Sequence, residues 1–573
     1  MWECKPCRVV HCYKYEDKKV SIIGFDGVVK LNLTGSIIWK LCDGKHTVLE
    51  IVNELLNVFQ IMDRERVYKD VKKVLSELHA LGLVILDWDP LYKDKLHLVN
   101  SSEACTEQNI NVDNNCDILL INSPSAYPGS MLSQRLQGMP PLGLGYIATW
   151  LSQNNYNAKI LDLYIRENTI LELEKILIHD NPAIIGISTT TESYNTGIRI
   201  AKFIKEFNNN IIVLMGGSHV TFMYEEPLLT GYVDVIARNE GEYTIKELCD
   251  YFIKHQGNLE DIKGIVYIKN KQIIKNPRQD FIWNLDKLPY PDRRFFELEK
   301  YSMKANISTS RGCPGACIFC AATALSGGKY RIRSAENIIN EIKYLKSLGN
   351  IHIQIVDDTL TADVGRLERF VNLLIESDLG ITWNCESRVD IMTKELLLKM
   401  KESGCISIQF GVEAATQEML DSLKKNITIE QIKNVFGWCK ELKINTTTCL
   451  IIGQPYDTPD SIRSTIEFGK DLQAFGAKVV FSVSTPYPGT YMLNHPDKLG
   501  LKIYDRDWDN YTTQLPVYDS QYMSGQEIQK YFFDGFVELG KGKMNDDARF
   551  VLKGLKGLLK GEVLRTNGKE PVY

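Results

Sequence analysis

The sequence predicts a multidomain α/β protein, and three observations lead to that prediction. Residues 113–258 and residues 300–492 each alternate short apolar runs with amphipathic helical segments, which is the pattern of strands and helices in α/β folds. The apolar runs are continuous, as expected for parallel strands that are buried on both faces. Residues 1–95 combine a hairpin signal with helical periodicity, and residues 493–573 indicate an α-rich C-terminal tail.

The first segment has the signals of a small winged-helix-like α+β domain. Apolar runs at 20–25 and 28–31 flank the turn residues Asp26 and Gly27, which predicts a β-hairpin. Helical periodicity follows, and the apolar run at 83–86 predicts a closing strand.

The second segment, residues 113–258, is expected to fold as a flavodoxin-like (Rossmann-like) doubly wound domain. A linker rich in Asn, Ser and Glu precedes it at about 97–115. The predicted strands lie at 117–121, 158–164, 183–189, 211–216 and 233–238. Open sheets of this kind bind ligands at the carboxyl ends of their strands.

The third segment, residues 300–492, predicts a partial (β/α)6 TIM-like barrel. Its expected strands lie at 306–309, 352–356, 381–385, 406–411, 446–452 and 479–483. The helices between them have clear start signals, among them Ser334, the capping pair Thr428 and Gln431, and Thr458 followed by proline. Ligands of such barrels also sit at the carboxyl ends of the strands.

Composition excludes several classes of function. Hydrophobic content of 44% and charged content of 24% are those of an ordinary soluble protein. The net charge of -5 argues against nucleic acid as a bulk partner. No apolar run is long enough to span a membrane, and the N-terminus lacks the apolar region of a signal peptide. We therefore expect a cytoplasmic protein whose fourteen cysteines are mostly reduced.

The most informative motif is a C-x3-C-x2-C cluster made by Cys313, Cys317 and Cys320, just after the first predicted barrel strand. Three thiolates at this spacing can hold three irons of a [4Fe–4S] cluster and leave the fourth iron open to a small molecule. Structural zinc sites want four protein ligands, and no second cysteine pair lies nearby, so zinc or buried thiols are the weaker alternatives.

This motif, with Phe319 before its last cysteine, resembles the signature of radical S-adenosylmethionine (radical SAM) enzymes. The resemblance implies that SAM binds the open iron, and it directs attention to polar residues at the other strand ends. The expected SAM-binding residues are Phe319, Asp358, Glu386, Arg388, Gly411, Glu413 and Gln454. Arg388 could pair with the SAM carboxylate, and Glu386, Glu413 or Asp358 with its amine or ribose. The alternative is that such charges simply face solvent.

The flavodoxin-like segment resembles the cobalamin-binding domain that accompanies many radical SAM enzymes. The resemblance rests on five strand-end motifs, and it makes the following residues candidate cobalamin ligands: Asn122, Pro124, Ser188, Thr189, Thr190, Gly216, Gly217, His219, Glu240 and Gly241. The D-x-H-x-x-G motif, whose histidine ligates cobalt in mutase-type domains, is missing from the sequence. His219 is therefore expected to be a loop residue rather than a cobalt ligand.

The N-terminal segment resembles the PqqD-like peptide-recognition family. The resemblance covers the hairpin, Ile38-Trp39, the Asp43-Gly44 turn and the final strand. In that family an extended leader peptide adds to the hairpin edge as a further strand. A generic winged-helix domain without this function is the alternative. Cys4, Cys7 and Cys12 form an incomplete ligand set, so we expect structural thiols there rather than a metal site.

Together the resemblances imply a cobalamin-dependent radical SAM C-methyltransferase that acts on an unactivated carbon of a ribosomally synthesised precursor peptide. SAM would yield a 5′-deoxyadenosyl radical, methylcobalamin would donate the methyl group, and flavodoxin or ferredoxin would supply electrons. The same cofactors are compatible with peptide cyclisation, cross-linking or epimerisation, or with a small-molecule or lipid substrate. A cobalamin-binding sensor or scaffold without turnover is the alternative from a different class.

Overall fold

The computed structural model describes residues 2–9, 12–24, 27–60, 62–89, 91, 116–126, 138–166 and 169–540. The predicted linker and a predicted amphipathic helix near 548–559 lie outside these residues. The α/β fold class is confirmed, with one mostly parallel and one wholly parallel sheet in successive parts of the chain. No helix among the described residues combines the length and the apolar character that crossing a bilayer requires.

The N-terminal unit contains a three-stranded antiparallel sheet followed by three helices. Its elements are β1 (Cys7–Arg8), β2 (Tyr13–Glu16), β3 (Lys19–Gly24), β4 (Gly27–Lys30), α1 (Leu33–Leu41), α2 (Val48–Phe59), α3 (Arg64–Ala80) and β5 (Val84–Ile85). The predicted hairpin is confirmed as β3 and β4. The sequence did not predict β2, which pairs with β3, or β1, which pairs with the predicted closing strand β5.

The second unit is a seven-stranded sheet whose order is β12-β11-β10-β9-β8-β6-β7. Its strands are β6 (Ile118–Asn122), β7 (Ala158–Asp162), β8 (Ile184–Ser188), β9 (Ile212–Gly216), β10 (Val235–Ala237), β11 (Ile265–Lys269) and β12 (Gln272–Lys275). Its helices are α4 (Leu142–Gln153), α5 (Thr169–Asp180), α6 (Tyr194–Phe207), α7 (Ser218–Phe222), α8 (Glu225–Leu229) and α9 (Glu242–Phe252). The first five strands are parallel, as the continuous apolar runs predict, and β11 and β12 extend the sheet antiparallel.

The third unit is an open barrel of six parallel strands in sequential order, which confirms the predicted partial barrel. These strands are β13 (Asn306–Ile307), β16 (His352–Ile355), β17 (Thr382–Ser387), β18 (Cys405–Glu413), β19 (Asn445–Ile452) and β20 (Lys478–Val483). A separate two-stranded ladder is formed by β14 (Ser310–Arg311) and β15 (Arg331–Ile332). The helices are α10 (Ala322–Ser326), α11 (Ala335–Ser347), α12 (Val364–Ser377), α13 (Lys394–Glu402), α14 (Gln417–Ser422), α15 (Ile429–Leu442) and α16 (Pro459–Ala474).

Local capping chemistry fixes the starts of the barrel helices. Ser334 caps α11, and Thr428 forms a capping box with Gln431 at the start of α15. Thr458 caps α16, with Pro459 at its first turn. Side-chain caps satisfy backbone N–H groups that have no partner inside the helix. The three predicted helix starts are therefore confirmed.

The C-terminal segment joins the other units. Its elements are α17 (Tyr491–Asn494), β21 (Lys502–Ile503), β22 (Tyr518–Asp519) and α18 (Gly525–Gly540). Helix α18 packs against β20 of the barrel and against β2 of the N-terminal unit. Lys14 of β2 and Asp534 of α18 form an ion pair of 2.8 Å. Helix α18 of the chain itself therefore lies against β2.

The carboxyl-terminal edges of the two large sheets face each other. Asn306 of β13 donates its side-chain N–H to the Pro140 carbonyl before α4, at 2.8 Å. On the opposite side of the interface, the loop after β20 approaches α7 so closely that a Cβ on Gly489 would lie 2.4 Å from the Phe222 ring. Since both edges are ligand-binding edges, the interface between them is the place to look for a site.

Candidate active site

The three motif cysteines lie on one loop that is closed at its base by the β14–β15 ladder, in which Arg311 pairs with Arg331. Gly312, which precedes the first cysteine, has a φ of +87°. A Cβ there would lie 2.3 Å from the Lys329 carbonyl oxygen and 2.5 Å from Ser326 Cβ. Only glycine fits this left-handed and crowded position, so the sequence forces a tight, defined start of the cluster loop.

The thiols of this loop face a common space. A Cβ on Gly315 would lie 3.3 Å from Cys313 Sγ and 3.9 Å from Cys317 Sγ, so both sulfurs flank that glycine. The Gly315 N–H donates to Cys313 Sγ at 3.4 Å. Burial raises the pKa of the Cys317 thiol. The surrounding protein raises the pKa of the Cys320 thiol to about 11 by keeping water away from it, and the charge of Cys317 adds to this rise. Binding iron would release these protons, because metals bind the thiolate.

The donor set fits an iron–sulfur cluster better than a single metal ion. Across the described ranges, no three His, Cys, Asp or Glu side chains converge closely enough to hold one ion. A [4Fe–4S] cluster binds each thiolate at a different iron, so its three sulfurs need not meet at one point. The loop also stays accessible, since Cys320 is exposed.

A cationic side flanks Cys313 and Cys317. Lys425 is buried, and although burial lowers its pKa, Glu413 and Cys317 raise the pKa above its ordinary value. Arg388 makes a bidentate pair with Asp390, with both N–O distances at 2.9 Å, and donates to the Lys425 carbonyl at 2.8 Å. The two cations therefore reach the cysteine loop from the same direction.

An acidic side flanks Cys320. The pKa of Asp358 is raised by the surrounding protein and then by the negative charges of Asp357 and Glu386, while the Gly312 N–H opposes the rise. The carboxylate of Asp357 itself accepts bonds from the Thr309 N–H at 2.6 Å and the Ser310 hydroxyl at 2.7 Å. The bonds of Asp357 thus fix the start of the cysteine loop. Asp358 and Glu386 are the acidic side chains near the cysteines.

Gly411 has a different role from the predicted one. A Cβ on Gly411 would lie 2.5 Å from Glu413 Oε1 and 2.6 Å from Lys425 Nζ. These two atoms form a buried ion pair of 2.7 Å. The strand irregularity after Gly411 and the left-handed φ of +71° at Glu413 turn the carboxylate back over the glycine. Gly411 therefore makes room for the ion pair, and Gly411 and Glu413 lie within β18 rather than beyond its end.

Gln454 and Phe319 are the remaining members of the predicted SAM set. Gln454 is fully buried and its Oε1 accepts a hydrogen bond from Ser484 at 3.1 Å. Its backbone N–H donates to Asp457, whose pKa is raised to about 6 by burial, against the bonds from Ser461 and the backbone. Phe319 is half-buried on the cluster loop. Gln454 thus lies just beyond the end of β19, buried and with its Oε1 bonded to the chain itself.

The predicted cobalamin residues are brought together at the end of the flavodoxin-like sheet. Asn122, Ser188 and Gly216 are direct neighbours in register on β6, β8 and β9. The Thr189 N–H bonds to the Gly216 carbonyl at 2.9 Å, and a Cβ on Gly217 would lie only 2.2 Å from the Thr189 carbonyl oxygen. This close approach needs glycine, which has a φ of +108° here.

Other members of this set engage in local bonds. The Asn122 side chain donates to Asp162 at 2.9 Å, and the Thr190 N–H donates to the Ser193 hydroxyl at 2.9 Å. Pro124 is buried just beyond β6. At the start of α4, a Cβ on Gly143 would meet no atom within 4 Å, so an open space adjoins this edge.

His219 lies in the short helix α7 and is completely buried. Its ring stacks on Tyr194 with centroids 4.2 Å apart, and Trp508 packs edge-on at 4.9 Å. Nδ1 contacts the Thr191 hydroxyl at 3.2 Å, and burial lowers the pKa to about 3. The imidazole is therefore neutral and enclosed by protein. His219 lies in a helix and not in the expected loop.

Glu240 faces the barrel, whereas Gly241 lies against α4. The Glu240 carboxylate contacts Arg311 at 3.0 Å and Arg331 at 2.8 Å, and accepts the Ile282 N–H at 2.9 Å. A Cβ on Gly241 would lie 3.0 Å from Ile147 Cδ1. The Glu240 side chain is thus committed to two arginines, which the sequence motif did not indicate.

Sequence reasoning missed three residues of this region, Lys425, Arg311 and Arg331. Lys425 lies in the loop between α14 and α15, where no periodicity marks it. The arginines lie on strands of two residues each, too short for a pattern. In the N-terminal unit, Cys7 and Cys12 are buried and their pKa values are raised by burial, as expected for structural thiols.

Three family models match successive parts of the chain. The model of the Radical SAM superfamily matches residues 307–469, and that of the B12 binding domain matches residues 131–249. The model of coenzyme PQQ synthesis protein D (PqqD) matches residues 20–84. The matches cover the three units in the order in which the sequence predicts them.

Curated relatives match most of the chain. An uncharacterized methyltransferase of Pyrococcus horikoshii is 31% identical over 434 residues, which are 74% of this chain and 94% of the relative. The anaerobic magnesium-protoporphyrin IX monomethyl ester cyclase of Rubrivivax gelatinosus is 27% identical over 74% of this chain and 79% of the relative.

Two solved structures share the fold. One is the radical S-adenosylmethionine methyltransferase TsrM from Kitasatospora setae with cobalamin and [4Fe-4S] cluster bound, at 14% identity, with a TM-score of 0.59 over 78% of this chain and 98% of that one. The other is the cobalamin-dependent S-adenosylmethionine radical enzyme OxsB with aqua-cobalamin and S-adenosylmethionine bound. It is 17% identical, with a TM-score of 0.59 over 77% of this chain and 71% of that one.

Proposed function

Since the chain belongs to the cobalamin-dependent radical SAM family and has an N-terminal PqqD-like domain, we propose that it is a C-methyltransferase acting on an unactivated carbon of a ribosomally synthesised precursor peptide. The observation that carries the proposal is the placement of the cysteine loop opposite the carboxyl-terminal edge of the B12-binding sheet, in a chain that also has a PqqD-like domain. The reaction requires all three parts.

The cofactors supply the difficult chemistry when bound: the [4Fe–4S] cluster with SAM provides a radical that removes a hydrogen atom, and methylcobalamin provides a methyl group. The residues of the chain bind, orient and shield the reactants. Cys313, Cys317 and Cys320 hold the cluster. Asn122, Ser188, Gly216 and Gly217 line the edge proposed to receive cobalamin.

The charge distribution around the cysteine loop orients SAM. The amino acid part of SAM has one cationic and one anionic group. The cationic side, with Lys425 and Arg388, suits the carboxylate, and the acidic side, with Asp358 and Glu386, suits the amine or the ribose hydroxyls. Both cations already have a carboxylate partner, Asp390 for Arg388 and Glu413 for Lys425. We assign the SAM carboxylate first to Lys425, because its charge acts more strongly than that of Arg388 on the Cys317 thiol.

The cluster loop is also open to a reductant. Pro314, Ala316 and Cys320 are exposed, so an electron donor such as flavodoxin or ferredoxin can approach the loop. The loop contributes no negative charge of its own between Cys313 and Cys320.

We assign the peptide to strand β4. The two edges of the N-terminal sheet differ, since β2 is covered by α18 and β4 is the other edge. The Leu31 N–H donates to the Val20 carbonyl at 2.8 Å. Because bonds alternate along an antiparallel strand, the N–H groups of Val28 and Lys30 point away from β3. Val28 and Leu33, both exposed, offer apolar contacts beside this edge.

Proline substitution tests this assignment. Val28→Pro removes an outward N–H and leaves the bonds between β3 and β4 in place. Loss of one hydrogen bond of about 0.5–1.5 kcal/mol predicts two- to tenfold weaker leader binding. Val28→Ala, which keeps the N–H, is the matched control. Fluorescence anisotropy of a labelled leader on the whole protein measures both, and equal binding by the two variants would argue against addition at β4.

The function itself is tested by mass spectrometry of the product. The reconstituted enzyme, SAM with a labelled methyl group and the precursor peptide should give a peptide that gains one labelled methyl per modified site. Cys320→Ser, which removes one iron ligand, should give none. A modified peptide with an unchanged carbon count would refute the methylation proposal.

A second function remains a candidate because of one observation, the similarity to a relative named as a cyclase. Cyclisation, cross-linking or epimerisation would use the same cofactor sites. The same mass spectra distinguish these outcomes, since none of them adds a labelled carbon to the peptide.

A further inference from the structure

We propose that Glu240 and Glu242 of the B12-binding domain clamp the base of the cysteine loop, and that this clamp holds the cluster and the cobalamin edge at a fixed separation. The clamp itself is inferred from the structure alone. Its consequence for catalysis rests on the proposed function. These two glutamates, with Arg311 and Arg331, act as positioning residues.

The contacts join the two domains at the root of the cluster loop. Arg311 contacts Glu240 at 3.0 Å and Glu242 at 2.5 Å, and Arg331 contacts Glu240 at 2.8 Å. Arg311 and Arg331 are cross-strand neighbours in the ladder that closes the loop. Both arms of the loop are thus tied to the segment that follows β10 in the other domain.

Two further bonds hold the middle of the loop. The Leu325 carbonyl, at the end of α10, accepts the Asn239 side-chain N–H at 3.2 Å and an Arg278 N–H at 3.1 Å. Asn239 directly precedes Glu240. The loop is therefore held at its two arms and at its helix by one short stretch of the B12-binding domain and its neighbouring connector.

The environment makes the clamp stiff. The side chains of Arg331 and Glu242 are only 3% and 5% exposed, so water competes weakly for their charges. The Arg331 guanidinium also donates to the Ile282 carbonyl at 3.0 Å, which fixes its plane. Removing one partner of such a pair leaves a buried charge without compensation, so the geometry has no equally good alternative.

The consequence concerns coupling between two half-reactions. The radical forms at the cysteine loop, and the methyl group is delivered from the opposite edge. If the loop shifts relative to that edge, SAM can still be cleaved at the loop. The methyl group from the opposite edge then reaches the substrate less often. The clamp therefore sets the yield of methylated product per 5′-deoxyadenosine, rather than the rate at which SAM is cleaved.

Charge-neutral variants test the inference in the holoenzyme. Glu242→Gln loosens Arg311, which holds one arm of the loop. This variant should keep wild-type iron and cobalamin contents and form 5′-deoxyadenosine at a similar rate, while methyl product per 5′-deoxyadenosine falls at least threefold. Glu297→Gln is the matched control, since it breaks an ion pair with Arg166 of the same domain away from the cluster loop.

A distance measurement separates the clamp from the chemistry. Pulsed EPR between cob(II)alamin and the reduced cluster should give a narrow distribution of distances in the wild type and in Glu297→Gln, and a broader one in Glu242→Gln. Unchanged distributions in all variants would overturn the clamp. If the wild type cleaves SAM without methylating any peptide, the proposed function fails, and the EPR comparison still decides whether the clamp exists.

Discussion

Adding a single methyl group at Gly411 tests the polar centre beside the cysteine loop. A Cβ there would lie 2.5 Å from Glu413 Oε1 and 2.6 Å from Lys425 Nζ, roughly 1 Å short of ordinary contact. Gly411 lies in β18 without a positive φ, so the backbone accepts alanine. Gly411→Ala therefore acts only by pushing the ion pair apart.

Two effects follow from that displacement. Overpacking of a filled site costs about 1–3 kcal/mol of stability. Moving Lys425 also removes a charge-assisted contact to the SAM carboxylate, worth about 1.5–3 kcal/mol, so SAM should bind roughly 10- to 100-fold more weakly. Calorimetry of SAM binding to the cluster-reconstituted protein and urea unfolding of the apoprotein measure the two effects separately.

The matched control is Gly437→Ala in helix α15. A Cβ there would lie 3.9 Å from the nearest Phe475 atom, which is ordinary contact. Alanine in a helix interior should stabilise by about 0.5–1 kcal/mol and leave SAM binding unchanged. If Gly411→Ala bound SAM with wild-type affinity although its ion pair is displaced, the assignment of Lys425 to the SAM carboxylate would be refuted.

Three further predictions follow from the described geometry. The pKa of Asp457 is raised to about 6, so the native state holds the carboxyl proton more tightly than the unfolded state does. The stability that this proton contributes to the native state is lost as pH rises through 6. Asp457→Asn should therefore raise the melting temperature most at pH 7.5, with the gain shrinking toward pH 5, whereas a gain independent of pH would contradict the shift. Enclosed by protein, His219 should give no histidine nitrogen splitting in the EPR spectrum of cob(II)alamin, and His219→Asn should leave that spectrum unchanged. Cys320→Ser should bind less than half of the wild-type iron while keeping cobalamin, and full iron content would exclude Cys320 as a ligand.

Features with a local signal were predictable from the sequence. Continuous apolar runs predicted the parallel strands, because such a run is visible within a few consecutive residues. Caps such as Thr428 and Thr458 predicted the helix starts, because a cap depends only on residues within the first turn of its helix. The cysteine spacing predicted the cluster loop for the same reason. The domain boundaries at 95, 113, 258 and 300 stay predictions.

Features that depend on distant partners were not predictable. Glu240 carries a strand-end signature, but Arg311 and Arg331 determine what its carboxylate contacts. Gly411 was interpreted as a close approach to a ligand, and the bulge that turns Glu413 back over it arises from the pairing of β18 with β19. The position of Lys425 depends on how the loop between α14 and α15 folds against the end of the barrel, and no sequence pattern predicts the fold of that loop.

The central claim is that the radical formed at the cysteine loop acts on the peptide and that the peptide then receives a methyl group. The most direct measurement uses a perdeuterated precursor peptide with unlabelled SAM, the reconstituted enzyme and a reductant. The account predicts that 5′-deoxyadenosine gains one deuterium for each methyl group that the peptide gains. Methylation with no deuterium in 5′-deoxyadenosine, or deuterium transfer with no methyl gain, would contradict it.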